Sequence, residues 1–187
     1  MSDKTAIEQL SKRLRPVSDE QEANTAVAVI LSPENNDLRI LFVKRVENLA
    51  DPWSGQVGLP GGKREPEDKN LQQSVIRETL EETGINLLNS RFLGVLPALR
   101  STPRPELMIL PFVVFLERKP VVKLSMKELE SFIWIPLRQI LKSKNMVRIG
   151  SREVPAFVVD KAVIWGLTYR ILESFIQVMK SANILEG

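Results

Sequence analysis

The stretch GLPGGKREPEDKNLQQSVIRETLEETGI, residues 58–85, joins a glycine pair to a run of acidic residues. Asp68 can cap the start of a helix, and Gly84 stands where a left-handed residue would end it. Successive helical residues lie about 100° apart, which places the apolar side chains and threonines on one arc. That arc is the predicted buried face: Leu71, Val75, Ile76, Thr79, Leu80 and Thr83.

Three glutamates, Glu78, Glu81 and Glu82, fall on one edge of this predicted helix because they are spaced three and four residues apart. Like charges at this spacing destabilise a helix, so we favour a functional role over the alternative of a solvated face. Gly61 and Gly62 lack a Cβ, so their backbone can approach a ligand closely. Hard divalent cations take oxygen ligands. The pattern predicts a cation site at Gly62, Glu78 and Glu82, with Glu81 as a base or a further ligand.

The composition excludes several classes of site. With no histidine and no cysteine, the chain has no His ligand, His base, thiolate or disulfide. The net charge of +3 is small, and basic residues are scattered, so no nucleic-acid partner is expected. No signal peptide or stretch of transmembrane length is evident. We therefore predict a cytoplasmic protein without a membrane partner.

The chain reads as a single domain over residues 1–187 that alternates strands and helices, which is typical of an α/β or α+β fold. The predicted strands are 25–31 and 39–46, joined as a hairpin, then 90–99, 107–116 and 132–135. The predicted helices cover 1–20, 136–141 and 160–181, the last capped by Asp160, in addition to the acidic helix within the segment 61–85.

The segment from Gly62 through Arg77-Glu78-Thr79-Leu80-Glu81-Glu82-Thr83-Gly84-Ile85 resembles the Nudix box, G-x5-E-x7-R-E-U-x-E-E-x-G-U, with U aliphatic. The core R-E-x-x-E-E-x-G is complete. Asp68 stands in place of the first Glu of the box, and eight residues instead of seven separate it from Arg77. Thr79 occupies a U position.

The segment PGGKREPED, residues 60–68, is similar to the opening of the coenzyme A diphosphatase branch, which shares the extra residue. Upstream, that branch carries L-L-T-x-R-S-A-x3-R-x3-G-x3-F-P-G-G. Here Arg45 and Gly55 match, Asp51 stands at the second Arg, and VIWGLTYRIL at 163–172 resembles the branch's W-G-x-T helix.

The resemblance implies the Nudix fold, a mixed central β-sheet between helices, and Mg²⁺- or Mn²⁺-dependent hydrolysis of a nucleoside-diphosphate-linked substrate. Coenzyme A or acyl-coenzyme A is favoured, giving 3′,5′-ADP and (acyl-)4′-phosphopantetheine. ADP-ribose, a dinucleotide or an oxidised nucleoside triphosphate is the enzymatic alternative. A non-catalytic nucleotide-sensing module is the alternative of another class. A homodimer is left open.

The resemblance also suggests roles for individual side chains. Glu81, Glu82 and Arg77 are the predicted catalytic residues, with Arg77 orienting the carboxylates through a salt bridge. Glu128 lies where many family members carry a loop glutamate, so it competes with Glu81 as general base. The predicted metal ligands are Glu78, Glu81, Glu82 and Gly62, and the predicted substrate-binding residues are Arg45, Gly61, Lys63 and Arg104.

Several of these residues keep a second interpretation. Arg45, Arg100 and Arg104 can also be solvated surface arginines, and Trp53 is expected in the core with base stacking as the alternative. Asp51 either faces the site, where it would repel a phosphate, or caps the turn at Pro52. We favour the turn, because Asp before Pro commonly starts one.

Overall fold

The computed structural model describes residues 3–34 and 37–184. Within them the first half of the chain forms α1 (Asp3–Arg13), β1 (Thr25–Glu34), β2 (Asp37–Arg45), β3 (Val57–Gly58), β4 (Gly61–Lys63), α2 (Leu71–Thr83) and β5 (Arg91–Val95). The second half forms β6 (Leu99–Arg100), β7 (Met108–Phe115), β8 (Leu129–Pro136), α3 (Leu137–Lys142), β9 (Lys144–Ile149), β10 (Arg152–Val159), β11 (Ala162–Trp165) and α4 (Gly166–Ser181).

The central sheet has the strand order β3-β2-β1-β7-β5, with β4 paired to β1, β6 to β7 and β8 to β2. Strands β1 and β7 run parallel, and their neighbours pair antiparallel. The predicted β1–β2 hairpin is present, although its turn includes residues 35 and 36, which lie outside the described part of the chain. The sheet is mixed, as predicted.

Strand β1 divides its side chains between two hydrophobic clusters because successive residues point to opposite faces. Ala26, Ala28 and Ile30 pack towards α2, whereas Val29 and Leu31 pack towards α1 and α4. Helices therefore cover both faces of the sheet, which confirms the predicted fold class. Among the described residues no helix is both long and apolar enough to cross a membrane.

Two helix boundaries differ from the prediction. The first helix covers Asp3–Arg13, shorter than the predicted 1–20, whose first two residues lie outside the description. The last helix begins at Gly166, so the prediction of a start capped by Asp160 was wrong. Asp160 instead has a φ of 51° in the turn that joins β10 to β11. The spacing of Ala162 and Trp165 fits a helix and a short strand equally. The pairing of this segment with β10 is what makes it a strand.

The small sheet β11-β10-β9 is the one described sheet that the sequence patterns did not predict. Most side chains of β9 and of the first half of β10 are exposed or half-buried, so these strands lack the apolar runs that mark a core strand.

The face that α2 buries also differs in detail. Leu71, Val75, Thr79 and Thr83 are buried as predicted, but Leu80 is exposed. Ile76 is half-buried. The helix also buries Ser74 and Glu82. It is therefore rotated slightly from the predicted arc, which carries the Glu82 carboxyl into the interior.

Candidate active site

The glycine pair brings β4 against both β1 and α2. Gly61 has a φ of 144°, and a Cβ there would lie 2.2 Å from the Ala26 carbonyl oxygen. A Cβ on Gly62 would lie 2.4 Å from the Glu78 carboxyl carbon. Gly61 therefore has no room for a side chain, because backbone atoms stand in its place, whereas a side chain at Gly62 would displace the Glu78 carboxyl that packs over it.

Glu82 is the most deeply buried acid of α2, with 4% of its surface exposed. Its Oε2 accepts a hydrogen bond of 2.9 Å from the Gly61 N–H. Burial raises the pKa of Glu82 to about 8, and the nearby charges of Glu78 and Glu128 act in the same direction, whereas the Gly61 bond and Arg45 oppose it. The salt bridges among the described residues include none to Glu82. Its negative charge is thus incompletely compensated by protein groups.

Glu78 and Glu81 lie in different environments. Burial raises the pKa of Glu78 above its usual range, although the Arg77 guanidinium donates to its Oε1 at 2.9 Å. The Glu81 side chain is 60% exposed and accepts from Arg77 at 3.4 Å. In the described part of the chain, no three acidic side chains are grouped closely enough to hold a metal ion together. Glu78 and Glu82 both adjoin the glycine pair, whereas Glu81 lies at the exposed edge of α2, close enough to Glu78 for its charge to raise the pKa of Glu78.

Arg77 connects the helix to the loop that precedes it. Its Nη2 and Nε donate to the two Asp68 oxygens at 2.9 and 3.3 Å, and Nη2 also donates to the Lys63 carbonyl at 3.0 Å. The hydrogen bond from Arg77 lowers the pKa of Asp68 to about 2. Asp68 is thus the partner of Arg77, and the prediction that it caps α2 was wrong, because Asn70 accepts from Gln73 N there. The extra residue between Asp68 and Arg77 leaves this ion pair intact.

Beside the glycine pair lies a cavity of about 250 Å³. Arg45 and Lys63 contribute the cationic side chains, and Trp53, which also packs against the core, forms part of the wall. Arg104 does not line this cavity, and its Nε donates to Glu106 at 2.7 Å. Most of the remaining wall is apolar: Val27, Val57, Leu59, Leu107, Ile109, Leu167 and Ile171.

Two contributions to the site were missed or given little weight from the sequence. Helix α4 places Leu167, Thr168 and Ile171 on the cavity wall. Thr168 is the last residue of the W-G-x-T signature, so that signature was the signal that could have located them. Glu128 lies near enough to Glu78 and Glu82 for its charge to raise the pKa of both.

The donor set suits a hard divalent cation. Glu78 and Glu82 offer carboxylate oxygens beside a glycine backbone, and Mg²⁺ and Mn²⁺ prefer oxygen ligands. Glu82 is buried and Glu78 half-buried, and a cation would stabilise the charged form of both acids, whose pKa values burial raises. The space above Gly62, which a Cβ would fill, is occupied by the Glu78 carboxyl. These observations fit a metal held at Gly62, Glu78 and Glu82.

Without metal, the protein is expected to lose stability as the pH rises from about 4.5 to about 8. The folded state holds a proton on Glu82 through this window, whereas the unfolded state releases it near the ordinary value of 4.5. Ionisation of Glu82 therefore favours unfolding. The free energy of unfolding falls by at most about 1.4 kcal/mol for each pH unit. Urea unfolding in chelator at pH 5, 6, 7 and 8 measures it. Glu82→Gln should remove most of the slope, leaving the smaller contribution of Glu78, whose pKa is also raised. Glu67→Gln, an exposed control, should keep the full slope, and parallel curves for all three proteins would refute the assignment.

Comparison with known proteins gives a family match over most of the chain. A family model described as NUDIX domain matches residues 23–156. The peroxisomal coenzyme A diphosphatase ndx-8 of Caenorhabditis elegans is 36% identical over 133 residues, covering 70% of this chain and 56% of that protein. The mitochondrial coenzyme A diphosphatase NUDT8 of Mus musculus is 26% identical over 160 residues, covering 81% and 75%. The chain spans about half the length of ndx-8 and of several other curated relatives that it matches.

Solved structures share the fold. The Ap4A hydrolase of C. elegans in a binary complex has a TM-score of 0.56 at 18% identity, covering 87% of this chain and 98% of that one. The NUDIX domain of Shewanella oneidensis NrtR complexed with ADP ribose has a TM-score of 0.55 at 18% identity, covering 84% and 86%. At such identities these likenesses concern the fold alone, and they confirm the predicted one.

Proposed function

We propose that this chain, which belongs to the Nudix hydrolase family, hydrolyses the diphosphate bond of a nucleoside-diphosphate-linked substrate with the help of Mg²⁺ or Mn²⁺. The observation that carries the proposal is the contact between the glycine pair and α2. There the Glu82 carboxyl accepts from Gly61 N, and the Glu78 carboxyl packs over Gly62. Both acids therefore adjoin the glycine pair, which lines the cavity together with Arg45 and Lys63.

Glu78 and Glu82, with the Gly62 backbone, would hold the metal ion. When bound, the ion neutralises charge on the diphosphate and helps to activate water. Arg77 is a positioning residue, because its guanidinium joins Glu78 to Asp68 and to the Lys63 carbonyl. Arg77 thereby fixes α2 against the loop that precedes it. It does not bond to Glu82, which accepts from the Gly61 N–H instead.

Two carboxylates compete for the role of general base. Glu81 is 60% exposed and bonded to Arg77, and its negative charge raises the pKa of Glu78. Glu128 has its negative charge close to both Glu78 and Glu82, and its backbone carbonyl accepts from Val46 N at 2.9 Å. A base has to reach the water beside the metal ligands. We assign the role to Glu128 and an outer electrostatic role to Glu81.

Arg45 and Lys63 are the proposed contacts to the diphosphate, because they are the cationic side chains on the cavity wall near the glycine pair. The apolar wall formed by β1, β7 and α4 would receive the part of the substrate that lacks phosphate. Arg104, bonded to Glu106 away from this wall, is left as a contact for a more distant substrate group.

Coenzyme A or an acyl-coenzyme A is the proposed substrate, cleaved to 3′,5′-ADP and (acyl-)4′-phosphopantetheine. The match of Arg45, Gly55 and the W-G-x-T segment to the coenzyme A diphosphatase branch supports it, as do the relatives named for that activity. ADP-ribose, a dinucleotide or an oxidised nucleoside triphosphate remains the alternative. A cytoplasmic location is still a prediction, since the relatives' names include peroxisomal and mitochondrial proteins.

Coenzyme A is expected to be a better substrate than 3′-dephospho-coenzyme A, which lacks only the 3′-phosphate. The cavity wall carries the cationic side chains of Arg45 and Lys63, and the 3′-phosphate would allow coenzyme A to form further charge-assisted contacts with such groups. The ratio of kcat/KM for the two compounds measures this preference. Equal or reversed values would show that the 3′-phosphate is not recognised and would redirect the assignment to a broader ADP-linked diphosphatase.

A further inference from the structure

Arg45 ends β2 and lies at the wall of the cavity. The pairing of β2 with β8 shifts register between Lys44 and Arg45. Such irregularities in a sheet redirect a side chain, and they are common beside active sites. Arg45 thus leaves the regular strand pairing at the point where it lines the cavity together with the glycine pair, with its side chain 35% exposed.

The Arg45 guanidinium is held by Asp51. Its Nε donates to Asp51 Oδ2 at 2.7 Å, and the Asp51 side chain is only 15% exposed. Among the described residues Asp51 is the one side chain that bonds to Arg45, so both Nη groups stay available to a ligand. A planar guanidinium held at Nε presents its Nη groups as a fixed fork, which suits phosphate oxygens.

Asp51 is itself fixed by the loop between β2 and β3. Its Oδ1 accepts from Trp53 N at 3.0 Å, and its carbonyl accepts from Ser54 N at 3.0 Å. Asp51 Oδ1 therefore has the turn role that the sequence favoured, whereas Oδ2 binds Arg45. The carboxylate links the Trp53 turn to Arg45, and both of those side chains line the cavity whereas Asp51 does not.

We propose that Asp51 is a positioning residue that orients Arg45 for binding the substrate diphosphate. This inference rests on the proposed function. Asp51 replaces an arginine of the coenzyme A diphosphatase signature, which at first sight places a repulsive charge near the substrate. Asp51 bonds to Arg45 and does not line the cavity, so its carboxylate is partly neutralised by the guanidinium between it and a bound phosphate. We therefore expect Asp51 to favour phosphate binding through Arg45.

A double-mutant cycle with Arg45→Met, Asp51→Asn and the combined variant tests the inference. Asparagine keeps an acceptor for Trp53 N, so the turn is retained while the ion pair is lost. We expect Asp51→Asn to lower kcat/KM for coenzyme A about tenfold, mainly by raising KM. Arg45→Met should cost more, and the combined variant should lie within about twofold of Arg45→Met. The control is Asp19→Asn, which removes the exposed Arg15–Asp19 pair and should leave kcat/KM unchanged.

The same cycle is measured by calorimetric titration with ADP at fixed Mg²⁺, which needs no turnover. Non-additive losses of ADP affinity in the two single variants would support the inference even if coenzyme A is not cleaved. Independent, multiplicative losses would overturn it, because they would mean that Asp51 acts through the turn alone. Wild-type affinity in Asp51→Asn, or no ADP binding by the wild type, would also overturn it. A wild type that binds ADP but cleaves no substrate would instead refute the proposed function.

Discussion

Glu82→Gln and Glu78→Gln are each expected to reduce turnover by at least about 100-fold while the protein stays folded. Each change removes one charged ligand from the proposed metal site and keeps the shape of the side chain. In Glu82→Gln the new amide oxygen can still accept from Gly61 N, and an uncharged side chain no longer pays the desolvation that raises the pKa of Glu82. Folding should therefore be unaffected or slightly favoured in metal-free protein at pH 8.

Steady-state rates over a Mg²⁺ titration measure this effect, with circular dichroism to confirm folding. Glu67→Gln is the control, since Glu67 is an exposed acid in the loop that precedes α2. Both active-site variants should need more metal or fail at any concentration, whereas the control should follow the wild type. Near wild-type rates in both variants at limiting Mg²⁺ would rule out the assigned ligands.

Alanine at Gly61 and at Gly62 should produce opposite defects. A Cβ at Gly61 would lie 2.2 Å from the Ala26 carbonyl oxygen and 2.6 Å from Val27 Cα, at a φ of 144°. Backbone atoms of a buried strand cannot move aside, so we expect Gly61→Ala to destabilise the fold by roughly 3 kcal/mol. A Cβ at Gly62 would meet the Glu78 carboxyl, the far end of a flexible side chain. Gly62→Ala should therefore fold normally and displace Glu78.

Thermal unfolding and turnover of the two variants separate these effects. The Tm of Gly61→Ala should fall by about 6–12 °C, because 1 kcal/mol corresponds to roughly 2–4 °C in a chain of this size. The Tm of Gly62→Ala should stay close to that of the wild type, while its rate drops about 100-fold. An active Gly62→Ala protein, or a Gly61→Ala protein as stable as the wild type, would contradict the described packing.

Local patterns predicted the parts of the fold that depend on local chemistry. Gly84 ends α2 with a φ of 71°, as its position after Thr83 predicted. The β1–β2 pairing followed from two apolar runs around a turn. The spacing of Glu78 and Glu82 placed both acids on one edge of α2. These features are encoded within a few neighbouring residues, so they need no knowledge of distant contacts.

The rest depends on pairing between distant segments. Whether Ala162–Trp165 is a strand is decided by β10, and the residues themselves fit a helix as well. One extra residue separates Asp68 from Arg77. The sequence does not say whether the two side chains still meet, and the structure shows that they form an ion pair. The sequence likewise favoured a turn role for Asp51, and its second contact, the bond to Arg45 at the end of β2, became evident only in the structure.

We propose that this chain cleaves a diphosphate bond by means of a metal held at Gly62, Glu78 and Glu82. The most direct measurement is mass spectrometry of the products formed from coenzyme A with Mg²⁺, after addition of EDTA, and after Mg²⁺ is restored in excess. We expect 3′,5′-ADP and 4′-phosphopantetheine to form in equal amounts, their formation to stop with the chelator and to resume with the metal. Product formation that survives exhaustive chelation, or no cleavage of coenzyme A, ADP-ribose, a dinucleotide or a nucleoside triphosphate under any of these conditions, would contradict it.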